Sequence, residues 1–252
     1  MSETIIDLRQ GKYQTVLHDA KADLIVTSPP YNIGSNGERK DGFRSSGKPD
    51  PKSYGGITGY EDDLDEATYQ DQQTEFVLWA AAHLTENGVL VYNHKPRRKN
   101  GAMIHPILWL CRPEVTRVLT LMEEIVWDRS STHNHCPQLM WQQTERLYVF
   151  RRADGKYPLR NTSDLDFRND LWKVNRPAKR NGHACPFPVP LAEACIKAWS
   201  IPGDTVMDPY AGSGTTAIAA HNLGRNFIGA ELGKQYHKDA LKRIAEETSF
   251  RV

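Results

Sequence analysis

The stretch from Asp204 to Glu231 constrains the fold more than any other part of this chain. A short apolar run, Thr205-Val206-Met207, ends at Asp208 and turns through Pro209-Tyr210-Ala211-Gly212-Ser213-Gly214. An Ala-rich segment, Thr215 to Leu223, then carries a helical pattern and stops at Gly224. Glycine suits the left-handed residue that ends many helices. Asn226 to Ala230 reads as a second buried strand, with Glu231 at its end. Strand, glycine turn, helix, strand and acid, spaced over about 20 residues, is the layout of a nucleotide-binding βαβ unit. The spacing predicts an α/β fold: a mostly parallel, twisted sheet with helices on both faces.

The residue types in the turn bear on the ligand. Glycines let the backbone come close to a bound group, and a helix N-terminus offers N–H donors to it. Glu231 is placed to accept hydrogen bonds from ribose hydroxyls. Asp208 would repel a pyrophosphate in a partly dry site but attract an ammonium group. An ammonium and a ribose with free hydroxyls occur together in S-adenosylmethionine, which the pair Asp208 and Glu231 favours over NAD.

A second motif stands near the N-terminus. The apolar run Asp23-Leu24-Ile25-Val26-Thr27 stops at Ser28-Pro29-Pro30-Tyr31. Adjacent prolines end sheet pairing and fix the backbone. The Ser28 hydroxyl and a carbonyl of Ser28 or Pro29 are left to accept hydrogen bonds from a ligand. Tyr31 supplies a flat face for a nucleobase, worth roughly 1–3 kcal/mol per stacked base.

Taken together, Ser-Pro-Pro-Tyr and Asp-Pro-Tyr-Ala-Gly-Ser-Gly-Thr-Thr resemble the motifs of the amino-methylating DNA methyltransferases. The order, catalytic motif first and cofactor motif last, is similar to their β group, which is circularly permuted relative to most methyltransferases. His183-Ala184-Cys185-Pro186-Phe187-Pro188 resembles the segment that precedes the cofactor motif there, and His18-Asp19 a short Gly-Asp element whose acid contacts the cofactor's adenine. The resemblance runs from about Asp19 to Tyr236. It implies a single Rossmann-like methyltransferase domain over 1–252, with S-adenosylmethionine held by Asp19, Phe187, Asp208, Tyr210, Ala211, Gly212, Ser213, Gly214, Thr215, Thr216 and Glu231. It implies catalysis by Ser28, Pro29, Pro30 and Tyr31 on the exocyclic amine of a base flipped out of double-stranded DNA. In that family the Ser form of the motif goes more often with cytosine N4 and the Asp form with adenine N6. Cytosine N4 is therefore favoured, with adenine N6 the alternative. An RNA base, a protein glutamine and an NAD-dependent oxidation are more distant readings. A paired restriction endonuclease and a monomeric or homodimeric state stay open.

The 252 residues, 9% aromatic and 25% charged, suit one globular domain. No apolar run is long enough to cross a bilayer and no secretory pattern opens the chain, so a cytoplasmic location is expected. The four cysteines, Cys111, Cys136, Cys185 and Cys195, lack metal-ligand spacing, and no metal is expected. The net charge of +1 does not mark a basic DNA-binder. Local clusters do more. Lys95, Arg97, Arg98 and Lys99, then Arg151 and Arg152, then Arg176, Lys179 and Arg180 are candidate phosphate contacts.

Residues 33–59 are polar and Gly-rich and read as a long flexible loop. Segments 128–144 and 153–182 are the candidate target-recognition stretches, although Trp172 reads better as core. Helices are expected over Glu75–Leu84, with Asn87-Gly88 as the stop, and over Met103–Cys111. Val89–Asn93, Val118–Trp127 and Arg146–Arg151 read as strands, the last two as an antiparallel pair at a sheet edge.

Overall fold

The computed structural model describes residues 4–33, 64–99, 101–130, 140–156, 161, 165–175 and 187–248. In chain order the described elements are β1 (Ile6–Gln10), α1 (Tyr13–Val16), β2 (Ala22–Thr27), α2 (Glu66–His83), β3 (Leu84–His94), β4 (Arg97–Lys99), β5 (Ala102–Ile104), α3 (Ile107–Leu110), α4 (Pro113–Thr116) and β6 (Leu119–Asp128). There follow β7 (Thr144–Arg152), β8 (Leu171–Lys173), α5 (Val189–Trp199), β9 (Thr205–Asp208), α6 (Thr215–Asn222), β10 (Asn226–Glu231) and α7 (Lys234–Thr248).

Eight of the described strands form one sheet in the order β1-β10-β9-β2-β3-β7-β6-β8. β1, β10, β9, β2 and β3 pair in parallel, and β7 runs antiparallel to both β3 and β6. Side chains alternate across a strand. Leu24 and Val26 therefore join one core with α5, α6 and α7, while Ile25 joins a second core with α1, α2, α3 and α4. The sheet is buried on both faces, as an apolar, non-alternating run such as Leu24-Ile25-Val26 requires.

Strand polarity decides where function can sit. β9 and β2 are neighbours, with Leu24 opposite Val206 and Ile25 opposite Met207. The turns after β1, β9, β10, β2, β3 and β6 therefore open at one end of the sheet, and the start of β7 joins them because it runs the other way. Parallel α/β sheets bind ligands at that end.

Several boundaries differ from expectation. α2 begins at Glu66, where Asp65 caps it by accepting from the amides of Ala67 and Thr68, each at 3.1 Å. It ends at His83, and Asn87-Gly88 lies inside β3 rather than stopping the helix. There the register slips, with Leu84 opposite Ala22 and Val89 opposite Leu24. Met103–Cys111 is not one helix: Pro106 caps the short α3, and Met103 belongs to the β4–β5 hairpin. The pair β6–β7 is antiparallel as expected, but β8 pairs outside it, parallel to β6, so the edge is formed from within 153–182. Trp172 is buried core, stacked between Phe167 and Trp199. No described helix is long and apolar enough to cross a membrane.

Candidate active site

The two motifs meet. Thr27, the last residue of β2, donates its hydroxyl to Asp208 Oδ1 at the end of β9, at 2.8 Å across 181 positions of sequence. Asp208 is 5% exposed and also accepts from Thr216 Oγ1 at 2.7 Å and from the Tyr210 amide at 3.1 Å. Burial pushes its carboxyl up to about 6 against the pull of these three donors. Beside this junction lies a cavity of about 320 Å3 lined by Pro30 from the first motif, by Pro209 and Tyr210 from the second, and by Gly11, Lys12 and Tyr13 after β1. Tyr210 and Tyr13 form flat sides of this space. The two tyrosine rings lie 5.3 Å apart.

The glycine bend is stapled into shape. Glu231 is 1% exposed and accepts from the Gly212 amide at 2.9 Å and from the Gly233 amide at 2.7 Å. Its carboxylate therefore holds the bend. Ala211 donates to the Ala230 carbonyl at 2.9 Å. Arg243 of α7 reaches the Ser213 carbonyl, Ser213 Oγ and Thr215 Oγ1. Gly214 has a φ of 77°, and a Cβ there would stand 3.0 Å from Ile244. That glycine serves helix packing and a left-handed turn rather than ligand approach alone.

At the catalytic turn, oxygens converge. Ser28 Oγ donates to Asn93 Oδ1 at 3.1 Å and lies 3.1 Å from the Tyr31 hydroxyl. The Tyr31 hydroxyl is 2.7 Å from Asn93 Oδ1 and 2.9 Å from Glu145 Oε2. Asn93 is oriented by its amide, which donates to the Arg146 carbonyl at 3.0 Å. Glu145 Oε1 takes Arg129 Nη1 at 2.7 Å, and both side chains are buried. The Tyr31 ring lies 4.4 Å from that of His94. His94 is held neutral, because burial pushes its imidazole well below the ordinary value. The Tyr69 hydroxyl lies 2.7 Å from His94 Nε2 and donates to the Pro30 carbonyl at 2.8 Å. His94 Nδ1 lies 2.8 Å from the Lys95 carbonyl and 2.9 Å from the Lys95 amide. Asn32 follows at a φ of 54°, and its amide group exchanges two hydrogen bonds with the Leu64 backbone.

The other expected site residues scatter. Phe187 leads into α5 and packs edge-on against Trp127 at 5.9 Å. Asp19 is not beside the cavity's other walls. It precedes β2, at the opposite end of that strand from Ser28, and its exposed side chain lies 3.5 Å from Arg9. Gly11 and Lys12 instead occupy the turn after β1 that lines the cavity. Arg97 is buried, bound to Glu66 at 2.7 Å and set over the rings of Tyr69 and Trp109, so no phosphate reaches it. Lys99 lies 3.9 Å from the same Glu66. Lys95 sits over the Tyr31 ring at 5.7 Å, and Arg98 shares the hairpin at this end of the sheet. Arg151 and Arg152 stand at the far end of β7, where Arg151 closes a turn on the Gly155 carbonyl and Arg152 pairs with Asp154. Arg176, Lys179, Arg180, Cys136, Cys185, nearly all of 33–59 and all of 131–139 and 176–182 lie outside the described residues.

Asn93, Glu145 and Arg129 were not anticipated as site residues. Their signal was present: Asn93 ends the strand expected over Val89–Asn93, Glu145 precedes the one expected over Arg146–Arg151, and Arg129 stands two positions past the one expected to end at Trp127.

A family model described as DNA methylase, covering N6 and N4 methyltransferases, matches residues 22–242. Type II methyltransferase M.ScaI of Streptomyces caespitosus is 27% identical over 254 residues, covering 89% of this chain and 75% of that protein. Type II methyltransferase M.Cfr9I of Citrobacter freundii is 34% identical over 138 residues, which is 50% of this chain and 45% of the relative. Among solved structures, an M1.HpyAVI complex with S-adenosylmethionine superposes with a TM-score of 0.65 at 20% identity, covering 95% of this chain and all of that one. With a family match over most of its length, and both family motifs joined at one end of the sheet, this chain belongs to the DNA methylases that use S-adenosylmethionine to methylate the N4 or N6 amino group of a base.

Proposed function

We propose that the chain methylates N4 of cytosine in double-stranded DNA, using the oxygen cluster at Ser28, Tyr31 and Asn93 to hold the amine. The observation that supports this reading is the Thr27–Asp208 contact, which ties the strand end before the amine-holding turn to the residue before Pro209 and Tyr210, which line the cavity. S-adenosylmethionine, when bound, supplies an electrophilic methyl on a sulfonium centre. The chain's own part is to orient the nitrogen. An exocyclic amine is a weak nucleophile because its lone pair is delocalised into the ring. Acceptors at both N–H bonds localise that pair and stabilise the positive charge that grows on nitrogen. Taking up that methyl would leave nitrogen with a proton to shed, which the acceptors at the turn would pass to water.

Asp208 and the Tyr210 backbone bind the methionine end, and Glu231 the ribose, on this reading. Lys95 and Arg98 are the cations at the site's end of the sheet best placed for the DNA backbone. The neutral Ser28 supports cytosine over adenine, since it lacks the charge of the Asp form of the motif. Adenine N6 is the second reading, because both bases offer the same N–H donors.

Purified chain incubated with duplex DNA and methyl-labelled cofactor, followed by mass spectrometry of the nucleosides, decides between them. N4-methylcytosine is expected; N6-methyladenine would replace the first reading with the second, and no methylated base would end both. Tyr31→Ala should slow turnover about 10²-fold with cofactor affinity retained. Near-normal turnover would remove Tyr31 from the mechanism.

A further inference from the structure

We propose that Gln73 of α2 is a binding residue for the cofactor: its side-chain NH2 donates to the carboxylate at the methionine end. This rests on the reading above that sets the methionine end by Asp208 and Tyr210 and the ribose by Glu231.

A buried amide in the cavity wall carries the inference. Gln73 lines the space of about 320 Å3 and is only 4% exposed. Glutamine is mostly a surface residue, so its burial needs a reason. One side of its amide has a partner. Tyr92 Oη donates to Gln73 Oε1 at 2.7 Å and accepts from Trp109 Nε1 at 3.2 Å. An indole N–H can only donate, so the phenol oxygen receives it and keeps its own hydrogen to give. Among the described residues that hydrogen meets one acceptor, Gln73 Oε1. Tyr92 and Trp109 are fully buried, which locks this row in place. The amide is therefore fixed one way round, with Oε1 toward Tyr92 and the NH2 on the other side. Among the described residues the Gln73 NH2 meets no acceptor. A buried donor without a partner costs free energy, and an acceptor on a ligand in the cavity removes that cost.

Strand order says which part of the cofactor lies there. The cavity wall runs from Gly11 after β1 and Leu232 after β10 to Pro209 after β9 and Pro30 after β2. These strands stand side by side as β1-β10-β9-β2, with β3 next. Glu231 ends β10, so a ribose bound to it lies toward the β1 side of the cavity. Gln73 belongs to the opposite side. It is tied to Tyr92 of β3, and Tyr69, one helical turn before it, donates to the Pro30 carbonyl at 2.8 Å. A cofactor laid across the strand tips from Glu231 toward the catalytic turn brings its amino-acid end to Gln73. The one anionic group on that end is its carboxylate, the strongest acceptor the molecule offers. Glu75 shares the lining but is exposed, where water and salt screen its charge.

Calorimetry on the full chain with two probes tests the assignment. S-adenosylhomocysteine keeps the amino-acid end. Methylthioadenosine has the same adenine, ribose and sulfur and lacks that end. Gln73→Met keeps most of the side-chain volume and removes the amide. Its affinity for S-adenosylhomocysteine should fall about 10–100-fold, through loss of one charge-assisted hydrogen bond, while its affinity for methylthioadenosine stays within about twofold. A packing fault would weaken both probes alike, so the ratio of the two affinities separates binding from structure.

Gln73→Met also leaves the Tyr92 hydroxyl without an acceptor and can unfold the chain for that reason alone. The pair Gln73→Met with Tyr92→Phe removes that hydroxyl and should show the same selective loss. A third measurement needs no variant. In wild-type chain isotope-labelled at its glutamine side chains, the Gln73 NH2 resonance should move further with S-adenosylhomocysteine than with methylthioadenosine. Equal losses for both probes, an unchanged affinity for S-adenosylhomocysteine, or an NH2 resonance that answers both probes alike would each overturn the proposal. Wild-type chain that binds neither probe would instead overturn the placement of the cofactor on which it rests.

Discussion

The two motifs treat their polar groups in opposite ways. In the glycine bend the carboxylates are supplied with donors: Asp208 has three and Glu231 has two backbone amides. The catalytic turn instead sets side-chain oxygens against one another: Ser28 Oγ, Tyr31 Oη and Asn93 Oδ1 lie 2.7–3.1 Å apart. A buried polar group left without a partner costs free energy. The bend therefore spends its acids on holding backbone, and its shape exists before a ligand arrives. On the proposed reading the oxygens of the turn meet a substrate's N–H groups. The bend holds its own shape, and the turn is where the proposed function places chemical selectivity.

Substitution at Glu231 should break the contrast most severely. Glu231→Ala leaves the Gly212 and Gly233 amides without acceptors inside the protein. Two charge-assisted bonds of about 1.5–3 kcal/mol each are lost. The expected result is a drop of about 3–5 kcal/mol in denaturant-measured stability together with loss of cofactor binding. Stability unchanged while cofactor binding is lost would make Glu231 a ribose ligand alone and not a staple.

Asp208 sharpens the comparison through pH. Its folded carboxyl sits at about 6, above its ordinary value of 3.8, chiefly because it is buried. Folding therefore favours the protonated form. Its contribution to stability is full below 3.8, falls as pH rises from 3.8 to about 6, and levels off above that. A ligand ammonium acts in the other direction and stabilises the charge. Cofactor binding should then release a proton, and affinity should weaken about tenfold between pH 7 and pH 5. Calorimetry in two buffers of different ionisation enthalpy reads both effects. Asp208→Asn should flatten the pH dependence; a slope that survives the substitution would place the titrating group elsewhere.

Much of this was legible in the chain. Strand, glycine turn and strand at Thr205–Glu231 have a spacing that admits one topology, and both motifs end apolar runs, which fixes them at strand tips. The contribution of β7 was not legible. It is antiparallel, so its first residues, not its last, reach the site, and Glu145 lies in sequence beside residues whose far end is remote. Charge clusters were read without burial. Arg97 and Arg98 are neighbours in sequence, yet strand alternation sends Arg97 inward to Glu66. Glycines were read as openings for a ligand, whereas Gly214 is required by its φ and by Ile244 of α7.

Asp19 gives the smallest expected effect and the cleanest check on polarity. Short Gly-Asp resemblance placed it on the cofactor, but the sheet places it before β2, at the other end of that strand from Ser28. Its side chain is 65% exposed, with Arg9 at 3.5 Å as an ion-pair partner. Exposed pairs of this kind contribute about 0–1 kcal/mol. Asp19→Asn should leave cofactor affinity unaltered and shift stability by less than about 0.5 kcal/mol. Lys12→Ala, in the turn after β1 that lines the cavity, should alter cofactor affinity more. The order of these two effects depends only on which end of the sheet each residue occupies. A reversed order, measured by calorimetry on both variants, would mean that the cofactor does not lie at the carboxyl ends of the parallel strands, and the contrast between bend and turn would lose its common ligand.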